Sequence, residues 1–353
     1  MKFAAYRGDS ADVLNLTYRG QVEGIGSQPS FAAKNAKGEL VDTHPWDRTQ
    51  PLNQEGALKF VISWLEKHER GLTIVAVGHR VVLGGQTYDK PVLVDEKVLA
   101  ELAKLEVVEP SHQPFELDGI RVLARAYPRL PQVAVFYTSF HRTMPAVAQR
   151  YALPAATLGD DIRHWGCHGI SYYYISHALP RYAANARRVI VAHLGGGSSM
   201  CAMLDGRSMD TSMGFSAIDG LPMATRCGAI GPNIPLFLQK VKKYSVTEIE
   251  TLLYNGSGLL GMFGISGDMR LLKRSKAPAA AAAIEDLVYH IVKFVGAYTA
   301  VLGGLDALVF IAGKGENDSS LRAAVVEKLT WLGVRVCPER SDGIAEFSEH
   351  EAD

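Results

Sequence analysis

The sequence has few cysteines, no excess of either charge and no long uninterrupted apolar segment. Its four cysteines, Cys167, Cys201, Cys227 and Cys337, are scattered and form no CxxC pair. This favours reduced thiols over a disulfide framework or a zinc site. The 37 Lys and Arg residues balance 37 Asp and Glu residues. We therefore expect no general binding to nucleic acid or to a membrane surface.

The apolar segments do not have the pattern of a signal peptide or a membrane span. The N-terminal MKFAAYRGDSADVLN has no apolar core of the kind that a secretory signal needs. The most hydrophobic region, residues 279–313, carries Glu285 and Lys293 and is broken by Gly303 and Gly304. It predicts a buried helix followed by a strand. A cytoplasmic protein is expected.

What the sequence does contain is an alternation of strand-like and helical segments. The run LTIVAVGHR, residues 72–80, predicts a strand, and an apolar stripe from Leu287 to Leu302 predicts a long helix. This alternation predicts the α/β class. Because 353 residues exceed one ordinary core, two domains are expected. We place them at residues 1–142 and 143–353.

Turn and capping residues divide the second half of the chain. The segment RVIVAHLGGGSSMCAMLDGRSMD, residues 188–210, predicts two strands joined by a glycine turn, with Asp205-Gly206 as a second turn. Ser245 followed by Glu248 predicts a helix start. Further on, LDALVFIAG predicts a strand, KGEN a loop and SSLRAAVVEKLTWLG a helix.

Two glycine-rich loops are candidates for phosphate binding. In AHLGGGSS, three glycines follow a strand, and their backbone N–H groups can approach an anion closely. A tight hairpin without a ligand is the alternative, and no Walker Lys-Ser/Thr pair follows. AGKGEN, residues 312–317, lies between a strand and a helix, where nucleotides bind. Glycine also serves loop geometry in such places.

Four single residues are further candidates. Arg80 and Arg226 each follow an apolar stretch, and a guanidinium can bind two oxygens of a carboxylate or phosphoryl group. Each also fits an ordinary surface or ion-paired arginine. His168 lies between the two glycines of GCHGIS, although an isolated histidine is often only a hydrogen-bonded polar residue. Tyr137 ends the apolar run VAVF where the chain becomes polar, which is typical of a site.

Taken in order, these motifs resemble the acetate kinase family over nearly the whole chain. The matching segments are GHRVV.GG, FYTSFHRTMP, HGIS, HLGGGSS, DTSMGF, MATRCG, SGLLG…GDMR and GGLDALVF.AG.GEN. DTSMGF and FHRTMP are the most specific. The resemblance implies the actin-like sugar-kinase fold, with two α/β domains and ATP in the cleft between them. It also implies a homodimer that uses Mg²⁺ and transfers the γ-phosphoryl group of ATP to acetate or propionate.

The resemblance assigns roles to individual residues. Arg80 is expected to bind the substrate carboxylate, and Val82 to line the pocket for its methyl group. His168 and Arg226 are expected to hold the phosphoryl group, in keeping with a reaction that depends on positioning and charge stabilisation. The implied ATP/ADP site comprises Lys2, His193, Leu194, Gly195, Gly196, Gly197, Asp268, Met269, Arg270, Gly313, Lys314, Gly315, Glu316 and Asn317.

Several positions depart from the family pattern. In the family, the sequence at this strand end is F-D-T-A-F-H. Tyr137 occupies the position of its aspartate, which is expected to hold Mg²⁺. The family's G-D-I-D-P is GAIGP here, and neither its N-A-G-S-S-S opening nor its C-terminal T-x-E-E is present. The metal ligands therefore stay unassigned. Other departures are Cys167 for phenylalanine, Gly196 for asparagine, and Ile170 and Tyr172 in the H-G-T-S-H segment.

Two function classes remain open. One is an acetate kinase-like enzyme whose metal site is rebuilt or whose sequence is incomplete. The other is a catalytically impaired relative that binds nucleotide or a partner. A butyrate kinase or a sugar kinase is disfavoured by the DTSMGF match. Because each lost catalytic group typically costs about 10²- to 10⁴-fold in rate, slow turnover is expected.

The N-terminal departure also predicts an unstable first domain. In the family fold, the first strand lies between the strands that resemble KFAAYRG and LTIVAVG. Without it, two rows of backbone groups lose their partners and invite pairing between chains. We expect a marginal or aggregating protein, with weak hydrogen-exchange protection at residues 3–6 and strong protection at residues 308–311.

Overall fold

The computed structural model describes residues 1–10, 13–47, 52–69, 71, 73–110, 112–159 and 162–335. Its contacts divide the chain into two compact units. Unit 1 contains Met1–His79, Val92–Ala103 and Ser111–Ala134. Unit 2 contains Arg80–Pro91, Lys104–Pro110 and the chain from Val135 onward. The domain boundary placed after residue 142 stays a prediction, and the C-terminal segment CPERSDGIAEFSEHEAD lies outside the described residues.

The described residues form strands and helices in alternation. The strands are β1 (Lys2–Ser10), β2 (Val13–Glu23), β3 (Ser30–Asn35), β4 (Leu40–Pro45), β5 (Val77–Val81), β6 (Val92–Leu93), β7 (Gln132–Phe136), β8 (Arg188–Leu194), β9 (Ser198–Leu204), β10 (Arg207–Thr211) and β11 (Ala307–Ile311). The helices are α1 (Gln54–His68), α2 (Glu96–Ala103), α3 (Gln113–Ala126), α4 (Ala146–Gln149), α5 (Ala155–Leu158), α6 (Gly169–Ala178), α7 (Asn233–Lys240), α8 (Val246–Asn255), α9 (Gly258–Phe263), α10 (Met269–Arg274), α11 (Pro278–Leu302), α12 (Ala312–Asn317) and α13 (Ser319–Glu327). Short 3₁₀ helices are found at Ser139–Thr143, Leu179–Arg181 and Thr330–Leu332.

Unit 1 contains an antiparallel sheet with the order β1-β2-β3-β4. Its apolar face packs on α1, and the buried cluster includes Val22, Phe31, Val61 and Trp64. Strand β1 stands at one edge of this sheet among the described residues. The contrast in exchange protection between residues 3–6 and 308–311 stays a prediction.

A second, three-stranded sheet has the order β5-β7-β6. The strand predicted from Leu72 begins only at Val77, and residues 73–76 form no strand. Val75 is 79% exposed, so this part of the apolar run is not covered by a sheet neighbour in the described structure. Strand β7 ends at Phe136, so Tyr137 directly follows a strand end, as the sequence predicted.

Unit 2 contains a sheet with the order β10-β9-β8-β11. The predicted glycine turn joins β8 to β9, which are antiparallel, and the predicted turn at Asp205 and Gly206 joins β9 to β10 with φ values of 52° and 73°. Both predictions are confirmed. Strand β11 pairs with β8 in parallel, with Ile311 opposite His193. The loops that follow β8 and β11 therefore begin side by side.

Helix α11 packs across this sheet and confirms the predicted long helix. Its buried stripe includes Leu287, Ile291, Val295 and Tyr298, which join β8 and β9 residues in the largest apolar cluster. The predicted start of α8 is also confirmed: Ser245 Oγ accepts from the Glu248 backbone N–H, and the Glu248 carboxylate accepts from the Ser245 N–H. In the described part of the chain, no helix combines the length and apolarity that crossing a bilayer requires.

The predicted loop KGEN is wrong, because residues 312–317 form the short helix α12. Its first turn is closed by the Glu316 carboxylate, which accepts from the Ala312 N–H at 2.7 Å. Its last turn is held by Arg322, which donates to the carbonyls of Gly315 and Glu316. These side-chain contacts offset the low helix propensity of the two glycines.

Candidate active site

Tyr137 connects two elements of unit 2 through its backbone. Its N–H donates to Val81 O at 3.0 Å, and its carbonyl accepts from the Gly169 N–H at 2.9 Å. A side chain at Gly169 would place its Cβ 2.0 Å from that carbonyl, so glycine is required there. The end of β5 and the start of α6 are thereby held on either side of Tyr137.

The Tyr137 ring lies between two of the predicted site residues. The guanidinium carbon of Arg80 lies 5.1 Å from the centroid of this ring, within the range of a cation–π interaction. The His168 imidazole lies 6.1 Å away in an edge-on arrangement. Arg80 itself is exposed. The structure therefore brings Arg80, Tyr137 and His168 together.

His168 is the N-cap residue of α6 and has a left-handed φ of 56°, an unusual conformation for a residue other than glycine. Its Nδ1 lies 2.7 Å from Ser199 Oγ, which lies 2.5 Å from the Tyr172 hydroxyl. Its ring stacks on His193 with the centroids 3.9 Å apart. Backbone conformation, a hydroxyl chain and ring stacking thus fix the orientation of His168.

The surroundings of His168 favour a neutral imidazole. Burial lowers its pKa well below the usual value, and the nearby His193 and Arg226 lower the pKa further. If Tyr172 donates to Ser199 and Ser199 donates to Nδ1, then Nε2 carries the proton. A neutral imidazole in this tautomer can donate a hydrogen bond to an anionic oxygen.

The glycine turn leaves an opening in front of His168. A Cβ built on Gly197 would lie 3.5 Å from His168 Nε2 and 3.6 Å from Arg226 Nη1. One point in space is therefore within reach of an imidazole and a guanidinium, and it is free because residue 197 has no side chain. An oxygen of a phosphoryl group placed near this point would meet two donors.

Arg226 is half-buried, and the nitrogen that faces the opening is itself anchored. Its Nη1 donates to Ala217 O at 2.9 Å, and its own carbonyl accepts from the Met223 N–H. The neighbouring Thr225 and Cys227 are each hydrogen-bonded to the end of α8. The segment that carries the Arg226 guanidinium is thus fixed by hydrogen bonds to α8.

Val82 lies beside this arrangement in an apolar cluster. It is buried together with Trp165, Met213 and Met223, and the Tyr137 ring packs against the same cluster. An apolar surface next to an exposed arginine suits a ligand with one carboxylate and a short hydrocarbon part. The predicted placement of Val82 and Arg80 fits this chemistry.

The predicted nucleotide residues of unit 2 fall on two adjacent loops. A Cβ on Gly195 would lie 3.7 Å from the Ala312 side chain, so the turn after β8 touches the start of α12. Lys314 on α12 is half-buried, and burial lowers its pKa to about 8, whereas the charge of Asp268 raises it. Lys314 and Asp268 are therefore near each other.

Not every predicted nucleotide residue presents its side chain in the same way. Leu194 and Met269 are core residues, and Met269 lies in the cluster under α11. Asp268 caps α10 and pairs with Arg270 at 2.7 Å. Lys2 belongs to β1 in unit 1, whereas the other predicted site residues belong to unit 2.

The residues around Tyr137 do not fit a magnesium site. Mg²⁺ in proteins is bound by carboxylate oxygens, and the charges that act on His168 come from histidines and arginines. Among the described residues, no group of three or more His, Cys, Asp and Glu side chains could hold a metal ion. The metal ligands left unassigned by the sequence therefore stay unassigned.

Sequence reasoning missed three contributors to this site. Ser199 and Tyr172 form the hydroxyl chain behind His168, and Glu109 accepts from the Ala217 N–H beneath Arg226. Ser199 is the last residue of the motif HLGGGSS, and Tyr172 is one of the departures from the family pattern. The glutamate lies in a segment that carried no motif, so only the three-dimensional structure reveals its position.

Comparison with known proteins identifies close relatives. The model of the Acetokinase family matches residues 2–350. A protein from Nitrobacter hamburgensis named acetate kinase is 43% identical over 343 residues, which cover 97% of this chain and 85% of that protein. A protein of the same name from Rhodopseudomonas palustris is 43% identical over 350 residues, with coverages of 98% and 87%.

Solved structures give the same result. The crystal structure of a propionate kinase from Francisella tularensis has a TM-score of 0.87 and 35% identity, covering 93% of this chain and 85% of that chain. That of Porphyromonas gingivalis acetate kinase has a TM-score of 0.82 and 31% identity, with coverages of 95% and 86%. The predicted α/β fold, the actin-like sugar-kinase fold of these enzymes, is confirmed.

Proposed function

The chain belongs to the Acetokinase family of phosphotransferases, and we propose that it transfers the γ-phosphoryl group of ATP to acetate or propionate. One observation carries the proposal. The opening over Gly197 lies within 3.6 Å of both His168 Nε2 and Arg226 Nη1. Two donors aimed at one point are what a transferring phosphoryl group needs.

The carboxylate substrate is proposed to bind at Arg80. Its exposed guanidinium can bind both carboxylate oxygens, and its packing on Tyr137 limits its rotation. The buried Val82 supplies the apolar surface for the methyl group. Since one methylene group in such a pocket changes binding by only about 1–3 kcal/mol, both acetate and propionate are suitable substrates.

The chemical step needs no general base. A carboxylic acid with a pKa near 4 is already ionised at neutral pH, so its oxygen can attack directly. A bond forms between this oxygen and the γ-phosphorus, while the bond from the γ-phosphorus to the β,γ-bridging oxygen breaks. ADP leaves with the bonding electrons, and acyl phosphate is the product.

His168 and Arg226 are proposed to stabilise the charge on the phosphoryl oxygens. The lowered pKa of His168 keeps its imidazole neutral, so it acts as a hydrogen-bond donor without changing its proton count during the step. Arg226 supplies the positive charge. Arg226 Nη1 carries two hydrogens, so the nitrogen that donates one of them to Ala217 O can donate the other to a phosphoryl oxygen near Gly197.

The nucleotide is proposed to bind along the loops after β8 and β11. Backbone N–H groups of Gly195, Gly196 and Gly197 would approach its phosphates, and Lys314 would add a positive charge. The family uses ATP or ADP with Mg²⁺, which supplies charge neutralisation on the phosphates. The described residues near Tyr137 do not provide its ligands, so the steps above depend only on the chain's own groups.

A second candidate function is supported by Tyr137. A phenol is a poor ligand for Mg²⁺, and this one stands where the family carries aspartate. A protein that binds nucleotide but forms no acyl phosphate fits this substitution. Tyr137→Asp alone is expected to recover little activity, because among the described residues no group of three or more His, Cys, Asp and Glu side chains could hold a metal ion.

Two measurements separate the two functions. Acyl-phosphate formation from ATP and acetate is measured by trapping with hydroxylamine, and ADP binding is measured by calorimetry at millimolar nucleotide. Slow, acetate-dependent turnover supports the kinase, and a rate in the usual range of about 1–100 s⁻¹ refutes impairment. Binding without turnover supports the second function. If the chain shows no nucleotide binding and no turnover, both proposed functions are overturned.

A homodimer and a cytoplasmic location stay predictions from the family resemblance. The family acts on small carboxylates, and the homodimer is proposed as the working assembly. Light scattering on the purified chain measures the mass directly. A mass of one chain, about 38 kDa, at micromolar concentration would contradict the dimer.

A further inference from the structure

Glu109 is a carboxylate buried in unit 2, with only 1% of its surface exposed. It lies in the segment Lys104–Pro110. Its Oε2 accepts a hydrogen bond from the Ala217 N–H at 3.2 Å. Burial of a carboxylate is unfavourable unless hydrogen bonds or charges compensate it. The burial of Glu109 therefore requires an explanation, and neither the motifs nor the family resemblance assigns a role to this residue.

Ala217 links this carboxylate to the proposed phosphoryl site. Its N–H donates to Glu109, and its carbonyl accepts from Arg226 Nη1 at 2.9 Å. Both polar backbone groups of one buried residue are therefore engaged, one on each side. A shift of Ala217 would move the acceptor that fixes the Arg226 guanidinium.

The surroundings of Tyr254 show that the charges of Glu109 and Arg226 also lie near each other. Burial raises the pKa of its phenol to about 12, and the charge of Glu109 raises the pKa as well, whereas the charge of Arg226 lowers it. Its hydroxyl lies 3.4 Å from Ser216 Oγ, next to Ala217. Glu109, the Ser216-Ala217 turn, Tyr254 and Arg226 thus form one connected group.

We propose that Glu109 is a positioning residue that fixes the Ala217 backbone and, through it, the orientation of the Arg226 guanidinium. The inference rests on the proposed function, since it concerns how Arg226 meets the phosphoryl group. Glu109 does not touch the substrate in this account. Its removal should therefore lower the rate of phosphoryl transfer and leave the KM for the carboxylate unchanged.

The test compares Glu109→Ala and Glu109→Gln with the wild-type chain. Misplacement of a catalytic group by a fraction of an ångström is expected to lower kcat about 10- to 100-fold in Glu109→Ala. Glutamine keeps an acceptor of the same shape but without charge, so Glu109→Gln should lose only about three- to tenfold. If the alanine variant does not fold, the isosteric glutamine variant carries the test.

A double-mutant cycle distinguishes positioning from general destabilisation. In an Arg226→Ala background, neither change at Glu109 should lower kcat further, because the group that it positions is gone. Gln113→Ala is the matched control, since Gln113 is a buried polar residue that hydrogen-bonds Leu102 instead. This control should change kcat less than about twofold. Equal losses at Glu109 with and without Arg226 would overturn the inference, as would unchanged kcat in both Glu109 variants.

Binding of inorganic phosphate gives a readout that needs no turnover. Calorimetry should show weaker phosphate binding in both Glu109 variants than in the wild type, and no further weakening in the Arg226→Ala background. If the wild type binds phosphate but makes no acyl phosphate, the proposed chemistry fails while Glu109 is still tested. Unweakened phosphate binding in both Glu109 variants would overturn the inference alone. If the wild-type chain neither binds phosphate nor forms acyl phosphate, both the inference about Glu109 and the proposed function are overturned.

Discussion

The guanidinium of Arg80 lies over the face of the Tyr137 ring, with 5.1 Å between the guanidinium carbon and the ring centroid. Arginine needs a neighbour to fix its plane, and an exposed arginine at a strand end has few. Tyr137 provides that neighbour from the end of the adjacent strand β7. Tyr137 is therefore proposed to support Arg80, at a position where the resemblance implies an aspartate in the family.

This relationship predicts a difference between two substitutions of Tyr137. Tyr137→Phe keeps the aromatic face, and the KM for acetate should stay within about twofold of the wild-type value. Tyr137→Ala loses a cation–π contact worth about 0.5–1 kcal/mol, so this KM should rise about two- to fivefold. Steady-state kinetics with varied acetate measure the effect. Equal KM values for the two variants would show that the ring does not support Arg80.

His141 should make the protein less stable in acid. It is fully buried, with Nε2 2.8 Å from Cys167 O and Nδ1 2.9 Å from Ser208 Oγ, which fits a neutral ring. Burial lowers its pKa from 6.5 to about 4. The unfolded chain therefore binds a proton between pH 6.5 and 4 that the folded chain does not, and the free energy of unfolding falls by about 3 kcal/mol as pH falls through this window.

Urea denaturation at pH 7 and at pH 5 measures this loss. In His141→Gln, the unfolding free energy should fall less between the two pH values than in the wild type, since one titrating group is gone. His177→Gln at an exposed position is the control and should keep the wild-type difference. If His141→Gln shows the same pH difference as the wild type, the ring is not held neutral in the folded protein.

Lys314 should make nucleotide binding sensitive to alkaline pH. Burial lowers its pKa to about 8, so that its ammonium group loses its proton as pH rises from 7 to 9. The attraction to the nucleotide phosphates is lost with the charge, and ADP affinity should fall over this range. Calorimetry at pH 7 and pH 9 tests this with Lys314→Met, which should bind ADP weakly and equally at both values. A pH-independent affinity in the wild type would place Lys314 away from the phosphates.

The elements around the site could be predicted where local chemistry decides them. Three consecutive glycines after an apolar run mark the turn between β8 and β9, and Ser245 with Glu248 marks the start of α8. Such signals lie within a few residues of the structure that they specify. The long helix α11 was predictable because its apolar stripe repeats from Leu287 to Leu302, over about four turns, which outweighs any single residue.

Contacts between distant residues could not be predicted in this way. Residues 314–317 are glycine and polar residues, a composition that predicts a loop. Hydrogen bonds from Arg322 and to Glu316 nevertheless stabilise a helix there. Glu109 and Ala217 are 108 positions apart, and nothing in the sequence near either one indicates their contact. The family resemblance supplied Arg226 and His168, but it was the structure that placed both beside Gly197.

The phosphoryl group is proposed to be held at the opening over Gly197, and Gly197→Ala tests this placement most directly. The new methyl group would occupy the point between His168 Nε2 and Arg226 Nη1 at ordinary contact distances, so the fold should tolerate it. Gly296→Ala in α11 is the control, because a Cβ there meets nothing within 4 Å, Gly296 lies outside the proposed nucleotide site, and neither glycine has a left-handed φ.

The measurement is the rate of acyl-phosphate formation from ATP and acetate by the wild type and by these two variants, with thermal midpoints recorded alongside. We expect Gly197→Ala to lose about 100-fold or more of the wild-type rate at an unchanged midpoint, because two stabilising donors are blocked. Gly296→Ala should stay within about twofold of the wild type. If Gly197→Ala is as active as Gly296→Ala, the phosphoryl group is not held at the opening over Gly197.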